Sequence, residues 1–280
     1  MMKCNYHTHN TFCDGKEPIE AFVKRASERH FDHLGFSSHA PVDFDNSFAI
    51  KENDLPAYIQ EIERQKTLHP EIKLFAALEC DFIPGITKPF DYFRSHYQLD
   101  YLIGGVHLVK QPYGDDLWFI DGSKQEIYDE GLARLFDNNI RRAVTAFWEQ
   151  TYEMIETEHF DIIAHLDKIK MHNRDRFFHE DEQWYRILVE HAISLIKKHN
   201  IIVEINLRGL YKKRCNTFYP SPEIIRQLAQ ADIPIVISSD AHKAEELELF
   251  YDEAIAAVRD AGIQSLVCFE DGKWKRYSDF

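Results

Sequence analysis

Short apolar runs alternate with longer amphipathic stretches along the whole chain. The runs lie at Lys3–Tyr6, His33–Phe36, Leu74–Leu78, Tyr101–Val106, Ile162–Ala164, Ile201–Ile205 and Ile233–Ile237, each strand-sized and too short for a helix. Between them apolar residues recur at helical intervals, as in Leu55, Tyr58, Ile59 and Ile62, which marks a helix with one buried face. The pattern predicts helices over Glu17–His30, Asp54–Leu68, Ile127–Glu158, Asp181–His199, Ser221–Ala231 and Glu245–Ala261. Their ends carry start and stop signals: Pro18 in a first turn, Asn53 or Asp54 as an N-cap, Ser221-Pro222 as N-cap and N1, and Gly262 as a terminator. The stretch Lys110–Lys124, with Pro112, Gly114 and Gly122, reads as a long loop, and loops of that length often carry function.

Alternating strands and helices predict an α/β protein with a parallel sheet. Whether the seven units form an open sheet or a TIM-like barrel is decided by the polar residues after the strands. His7 and His9 close the first run, with Asp14 soon after; His39, Glu79, His107 and His165 follow four later runs, and Asp240 and His242 follow the last. A barrel brings every strand's C-terminal end to one face, whereas an open sheet has few ways to gather six strand ends. The chain is therefore read as a single barrel domain over residues 1–280, with its site at the C-terminal ends of the strands.

Imidazole and carboxylate are the donors that Zn, Mn and Fe accept, and nine of them are too many for one ion. Two or three metals, and with them hydrolytic chemistry, are expected. Residues i and i+2 of a strand share a face, so His7 and His9 can grip the same or adjacent ions. Asp240-Ala241-His242 repeats that geometry after Ile-Val-Ile-Ser-Ser, where a bare carboxylate and imidazole would serve no core. The other nine histidines lie mostly on helical or polar segments and read as surface or packing residues, His172 being the least settled.

Composition narrows the picture. At 280 residues and 44% hydrophobic the chain can bury a large core. No apolar run approaches the roughly 18 residues of a membrane span, and with no signal-peptide pattern a cytoplasmic location is expected. Five cysteines with no CxxC pair argue against a disulfide framework; Cys13 and Cys80, beside candidate ligands, are expected to pack. A net charge of −14 disfavours a nucleic-acid partner and is compatible with a small phosphorylated substrate. Oligomeric state is left open.

The sequence resembles the PHP (polymerase and histidinol phosphatase) superfamily over nearly its whole length. His7-Thr8-His9 with Asp14-Gly15 is similar to the first motif, Ser38-His39 to the second and Gly104-Gly105-Val106-His107 to the third; Ala164-His165-Leu166-Asp167-Lys168 and Ser238-Ser239-Asp240-Ala241-His242 are similar to the later ones. Within it, the His-Leu-Asp-Lys stretch, Glu204-Ile205-Asn206, Gly209 and Tyr219-Pro220-Ser221 resemble the monofunctional histidinol-phosphate phosphatases, although Leu207-Arg208 stands where small residues are the pattern. The resemblance implies a distorted (β/α)7 barrel holding three divalent metals, Zn, Mn or Fe. It implies His7, His9, Glu79 and Asp240 around the first, Glu79, His107 and His165 around the second, and Asp14, His39 and His242 around the third.

The reaction expected on that basis is hydrolysis of a small-molecule phosphomonoester, L-histidinol phosphate, by direct attack of a metal-bound hydroxide without a phosphoenzyme. Asp14 and His242 are the candidates for protonating the leaving alkoxide. Arg208 is the first candidate for gripping phosphate, its fork matching phosphate oxygens, with Lys168 and Arg214 behind it. Trp118, Phe119 and Asp121 are candidates for the substrate's imidazole and ammonium. The competing readings are a PHP phosphoesterase for nucleotides or oligonucleotides, a PHP protein-tyrosine phosphatase, an amidohydrolase, and an inactive binding protein. The acidic balance, the full donor set and the absence of a strand-borne lysine weigh against them.

Overall fold

A computed structural model describes residues 2–280. Strand β1 (Cys4–Asn5) is followed by α1 (Ile19–Glu28), β2 (His33–His39), α2 (Leu55–Leu68), β3 (Lys73–Asp81), α3 (Phe90–His96) and β4 (Tyr101–Gly105). A hairpin of β5 (Leu108–Lys110) and β6 (Leu117–Phe119) interrupts the alternation, and α4 (Gln125–Phe136) and α5 (Ile140–Thr157) lead on to β7 (Ile162–Ile163). Then come α6 (Gln183–His199), β8 (Ile202–Asn206), α7 (Arg208–Tyr211), α8 (Pro222–Gln230), β9 (Ile235–Ser238) and α9 (Tyr251–Asp260), before a C-terminal hairpin of β10 (Leu266–Glu270) and β11 (Lys273–Tyr277). Seven strands pair in the order β1-β2-β3-β4-β7-β8-β9, every pair parallel. The ring closes between β1 and β9 through one parallel bridge, Thr8 to Ala241, in which the His9 N–H donates to the Ala241 carbonyl at 2.8 Å. The fold is thus a nearly closed (β/α)7 barrel, as expected.

The strands are buried on both faces, so each reads as a continuous apolar run, yet alternate residues divide the work. Leu74, Ala76 and Leu78 of β3 and Val203 and Ile205 of β8 pack outward against the helices, in the main core. Phe75 and Ala77, Ile202 of β8 and Val236 of β9 pack in a second core with Cys4, Tyr6 and Tyr101 inside the barrel. Gly35 makes room there: a Cβ on it would lie 1.7 Å from the Tyr101 hydroxyl, which crosses to donate to the Tyr6 carbonyl at 2.5 Å. Val267 and Phe269 of the C-terminal hairpin close this end of the barrel, with Trp274 packed beside them.

Several predicted boundaries move. The helix expected over Ile127–Glu158 is two, because Asp137 and Asn138 take φ of 53° and 58°, a conformation Asn and Asp tolerate best; the Asn139 side chain then caps α5 by accepting from Arg142 N–H. The stretch Glu245–Ala261 begins as a single 3-10 turn, Ala244–Glu246, before α9. The first helix starts at Ile19 with Pro18 as its N-cap rather than in its first turn. Asp54 and Ser221 occupy N-cap positions without a side-chain capping bond; Pro222 stands at the start of α8 and Gly262 ends α9 with φ 90°. Strands β2 and β3 run on to His39 and Asp81, so His39 and Glu79 lie within strands. All five cysteines are free. Among the described residues no helix is long and apolar enough to cross a membrane.

Candidate metal centre

Glu79 stands at the middle of the barrel's C-terminal end, buried, with each carboxylate oxygen facing a different group of rings. Its Oε2 lies 3.2 Å from His7 Nε2 and 3.4 Å from His9 Nε2; its Oε1 lies 2.9 Å from His165 Nε2 and 3.3 Å from His107 Nε2. Asp240 Oδ1 joins the first group, 3.5 Å from His9 Nε2 and 4.0 Å from His7 Nε2. On the outer side, Asp14 Oδ1 lies 3.1 Å from His242 Nε2 and 4.0 Å from His39 Nε2. All nine sequence-predicted donors therefore converge, in three groups joined by shared members. Two rings sit between the groups that the resemblance implies: His39 Nδ1 is 3.1 Å from Glu79 Oε2, and His9 Nδ1 is 3.7 Å from Asp14 Oδ1.

The donor set fits divalent cations. His7 and His9 point Nε2 atoms at each other across 3.0 Å, and His107 and His165 do so across 3.1 Å, where at most one proton can lie between two lone pairs. Asp14 Oδ1 and Glu79 Oε2 are buried without a hydrogen-bond partner, which in a folded interior calls for an ion or a donor. His165 and Asp240 take φ of 29° and 53°, strain that persists only where the surroundings over-determine it. Gly105 clears the floor: a Cβ there would lie 3.2 Å from the His165 ring and 3.6 Å from Glu79 Oε1.

Electrostatics divide the rings. Burial opposes charge on His7, but Glu204, Glu79 and Asp240 outweigh it and hold the ring well above the ordinary imidazole range. Burial is likewise overcome at His107 by Asp81 and Glu79, and at His9, raised to about 10, by Cys13, Glu79 and Asp14. Burial prevails at His39, lowered to about 4, and at His165 and His242, both lowered to about 3. Glu79 and Asp240 remain well below the carboxylate range despite burial, held there chiefly by His7 and Arg208 respectively. Cys13 does more than pack, since its Sγ lies 3.5 Å from His9 Nδ1; Cys80 is buried in the helix-facing core.

A cavity of about 180 Å³ opens over the centre, with Lys168, Arg208, Arg214, Asp81 and Asp121 on its walls. Lys168 Nζ pairs with Asp121 at 3.0 Å. Arg208 Nη1 donates to the Asp240 carbonyl at 2.8 Å and to His242 Nδ1 at 2.7 Å.

The family model of the PHP domain matches residues 5–208. The chain belongs to the PHP domain family. Across 268 residues this PHP chain is 27% identical to a protein of Deinococcus radiodurans named probable histidinol-phosphatase, covering 92% of this chain and 94% of that one. It is 22% identical over 275 residues to the histidinol-phosphatase of Bacillus subtilis, covering 90% and 98%. Its fold is similar to the crystal structure of a histidinol phosphate phosphatase from Lactococcus lactis, in complex with Zn, L-histidinol and phosphate, at a TM-score of 0.74 and 19% identity over 98% of both chains.

Of the predicted substrate contacts in this PHP chain, Lys168, Arg208, Arg214, Asp121 and Phe119 line the cavity, but Trp118 does not. It is fully buried, packed at a tilt against Tyr128 and Phe136, with its indole N–H on the Tyr128 carbonyl. The expected long loop is a hairpin, and neighbours on a strand face opposite ways, so Phe119 turns out where Trp118 turns in. Phe48, Asp81 and Glu204 are site residues outside the predicted set, Glu204 being marked in the sequence only as part of the Glu204-Ile205-Asn206 stretch. Phe48 is on a wall of the cavity. Asp81 Oδ2 lies 3.1 Å from His107 Nδ1, and Glu204 Oε1 accepts from His7 Nδ1–H at 2.7 Å. For the last two the signal was present, an acidic residue in a buried strand. His172 is also buried and donates to the Gly122 carbonyl at 2.7 Å, beside Asp121.

Proposed function

We propose that the chain is a metal-dependent phosphatase that hydrolyses L-histidinol phosphate to L-histidinol and phosphate. The observation that carries this is the meeting, in one small cavity, of a metal-type donor cluster with cations for a phosphate and carboxylates for a cationic tail. Its relatives in Deinococcus radiodurans and Bacillus subtilis carry histidinol-phosphatase names over nine-tenths or more of this chain. The Lactococcus lactis neighbour holds Zn, L-histidinol and phosphate together.

On this reading His7, His9, Glu79 and Asp240 hold a first ion, Glu79, His107 and His165 a second, and Asp14, His39 and His242 a third. Such ions, when bound, ionise water near neutral pH and neutralise charge on phosphoryl and leaving oxygens. The remaining work falls to the chain. Arg208, always protonated and anchored on the Asp240 carbonyl, offers phosphate the part of its fork turned to the cavity. Lys168, kept charged against burial by Asp121, offers a second cation, and Arg214 a third. Phe119 and Asp121 face the substrate's imidazole and ammonium.

Asp14 and His242 fit a ligand role better than the proton donation expected of them. Burial opposes charge on Asp14, but His242, His9 and His39 hold its carboxyl far below the ordinary range, and His242 titrates near 3. At neutral pH Asp14 is therefore a carboxylate and His242 a neutral ring, and neither is in the acid form that would protonate a leaving alkoxide.

The test is phosphate release from L-histidinol phosphate by purified protein with added Mn²⁺ or Zn²⁺, beside phosphotyrosine, nucleotides and p-nitrophenyl phosphate. A strong metal-dependent preference for histidinol phosphate is expected. Equal rates on all esters would leave a phosphatase but overturn the substrate.

A further inference from the structure

Glu204 is fully buried on β8, and its side-chain hydrogen bonds run to His7, to the His165 backbone and to Asn206. Its Oε1 takes the His7 Nδ1–H at 2.7 Å. Its Oε2 takes the backbone N–H of His165 at 3.0 Å and the Asn206 side-chain amide at 2.9 Å. The same Asn206 amide reaches Asp240 Oδ2 at 3.2 Å.

A carboxylate only accepts, so the bond to His7 keeps a proton on Nδ1 and makes Nε2, which faces Glu79 and His9, the nitrogen left to bind an ion in place of a proton. The bond to His165 holds the amide of a residue at φ 29°, a conformation that needs outside support. A carboxylate behind a ligating histidine fixes tautomer and ring direction and raises ligand basicity. Asp81 behind His107 is the weaker counterpart. It faces Nδ1 at 3.1 Å, but Asp81 Oδ2 and His107 Nδ1 are not aligned for a hydrogen bond.

We infer that Glu204 is a positioning residue shared by two ion positions, acting on the first through the His7 ring and on the second through the His165 backbone. The inference rests on reading His7 and His165 as ligands, but not on the identity of the substrate. Glutamine cannot replace it. Its amide N–H₂ would either face His7 Nδ1 and force the proton onto Nε2, or face the two donors on the His165 and Asn206 side.

The experiment uses the full chain loaded with Zn²⁺. Bound ions are counted by elemental analysis and their affinities read by competition with a chromophoric chelator, for wild type, Glu204→Gln, Asp81→Asn and His7→Ala. Glu204→Gln is expected to weaken two of three ions by about 10- to 100-fold while keeping the third; Asp81→Asn should weaken one. Wild-type affinity throughout in Glu204→Gln, equal loss of all three ions, or the same two-ion loss in Asp81→Asn would overturn the inference. No ion loss in His7→Ala would instead overturn the ligand reading beneath it. Should Glu204→Gln not fold, long-range ¹H–¹⁵N spectra of the unmutated zinc-loaded protein decide. His7 must carry its proton on Nδ1, and a proton on Nε2 defeats the proposal.

Discussion

Along β3 the inward side chains run Phe75, Ala77, Glu79, Asp81, and along β8 they run Ile202, Glu204, Asn206. The first members of each series pack in one core with the C-terminal hairpin, and the later ones enter the cluster of carboxylates and imidazoles. The hairpin end is held by ring packing, with Phe269 5.4 Å from Phe75 and 5.1 Å from Trp274, and its stabilisation comes from apolar area removed from water. The opposite end buries carboxylates and rings that satisfy one another incompletely. Unpaired buried groups cost stability, so the donor end is destabilising until ions fill it, while the hairpin end contributes the stability that lets it persist. Stability and function are thus divided along the axis of one set of strands.

Substitutions at the two ends should have opposite signatures. Glu79→Gln strikes the residue facing two donor groups. It should lower kcat/KM for phosphate release by at least about 10³-fold and reduce the bound-ion count; activity within tenfold of wild type would break the comparison. Phe269→Ala should cost about 3 kcal/mol in urea unfolding, with kcat and ion content of the folded enzyme unchanged. A loss of kcat there would show that the two ends are coupled. Arg208→Lys should leave ion content intact and lower kcat/KM by about 10- to 100-fold, because lysine lacks the fork.

The smallest effect concerns His33, at the hairpin end, whose Nδ1 accepts from the Tyr6 hydroxyl at 2.7 Å while that oxygen accepts from Phe269 N–H at 2.9 Å. Burial first, then Lys73, lowers its pKa from 6.5 to about 4. Between those values the unfolded chain binds a proton that the folded chain refuses, so this contribution is full above pH 6.5 and is lost as pH falls towards 4. In metal-free protein, His33→Gln should therefore narrow the gap in urea midpoint between pH 7.5 and pH 5. An unchanged gap would remove His33 from the account.

The barrel and the convergence of its polar residues are legible in the sequence because both rest on local pattern. Buried parallel strands read as apolar runs, and a histidine directly after such a run has one face to turn to. The hairpin end is not legible in this way. Lys273, Lys275 and Arg276 make β11 look like a solvated tail, and nothing in that stretch shows that Trp274 lies over Tyr6 and Tyr101. Trp118 is misassigned for a related reason, while its neighbour Phe119 reaches the cavity as expected. Composition marks the segment as aromatic, but only the register of the hairpin says which ring turns inward. Glu204 sits inside β8 rather than at its end, and Asp81 closes β3 beyond the apolar run Leu74–Leu78 that marks the strand in the sequence.

The bridge that closes the barrel, Thr8 to Ala241, also sets an order of assembly. The second donor group draws on Glu79, His107 and His165, all present once the middle of the chain exists. The first and third straddle the seam, pairing His7, His9 and Asp14 with Asp240 and His242. Contacts so distant in sequence form late, after the intervening chain has condensed, and a chain made from its N-terminus holds its opening histidines waiting for residues that come near its end. Occupancy of the first and third groups is therefore a report that the whole ring has shut, which no fragment ending before β9 can give.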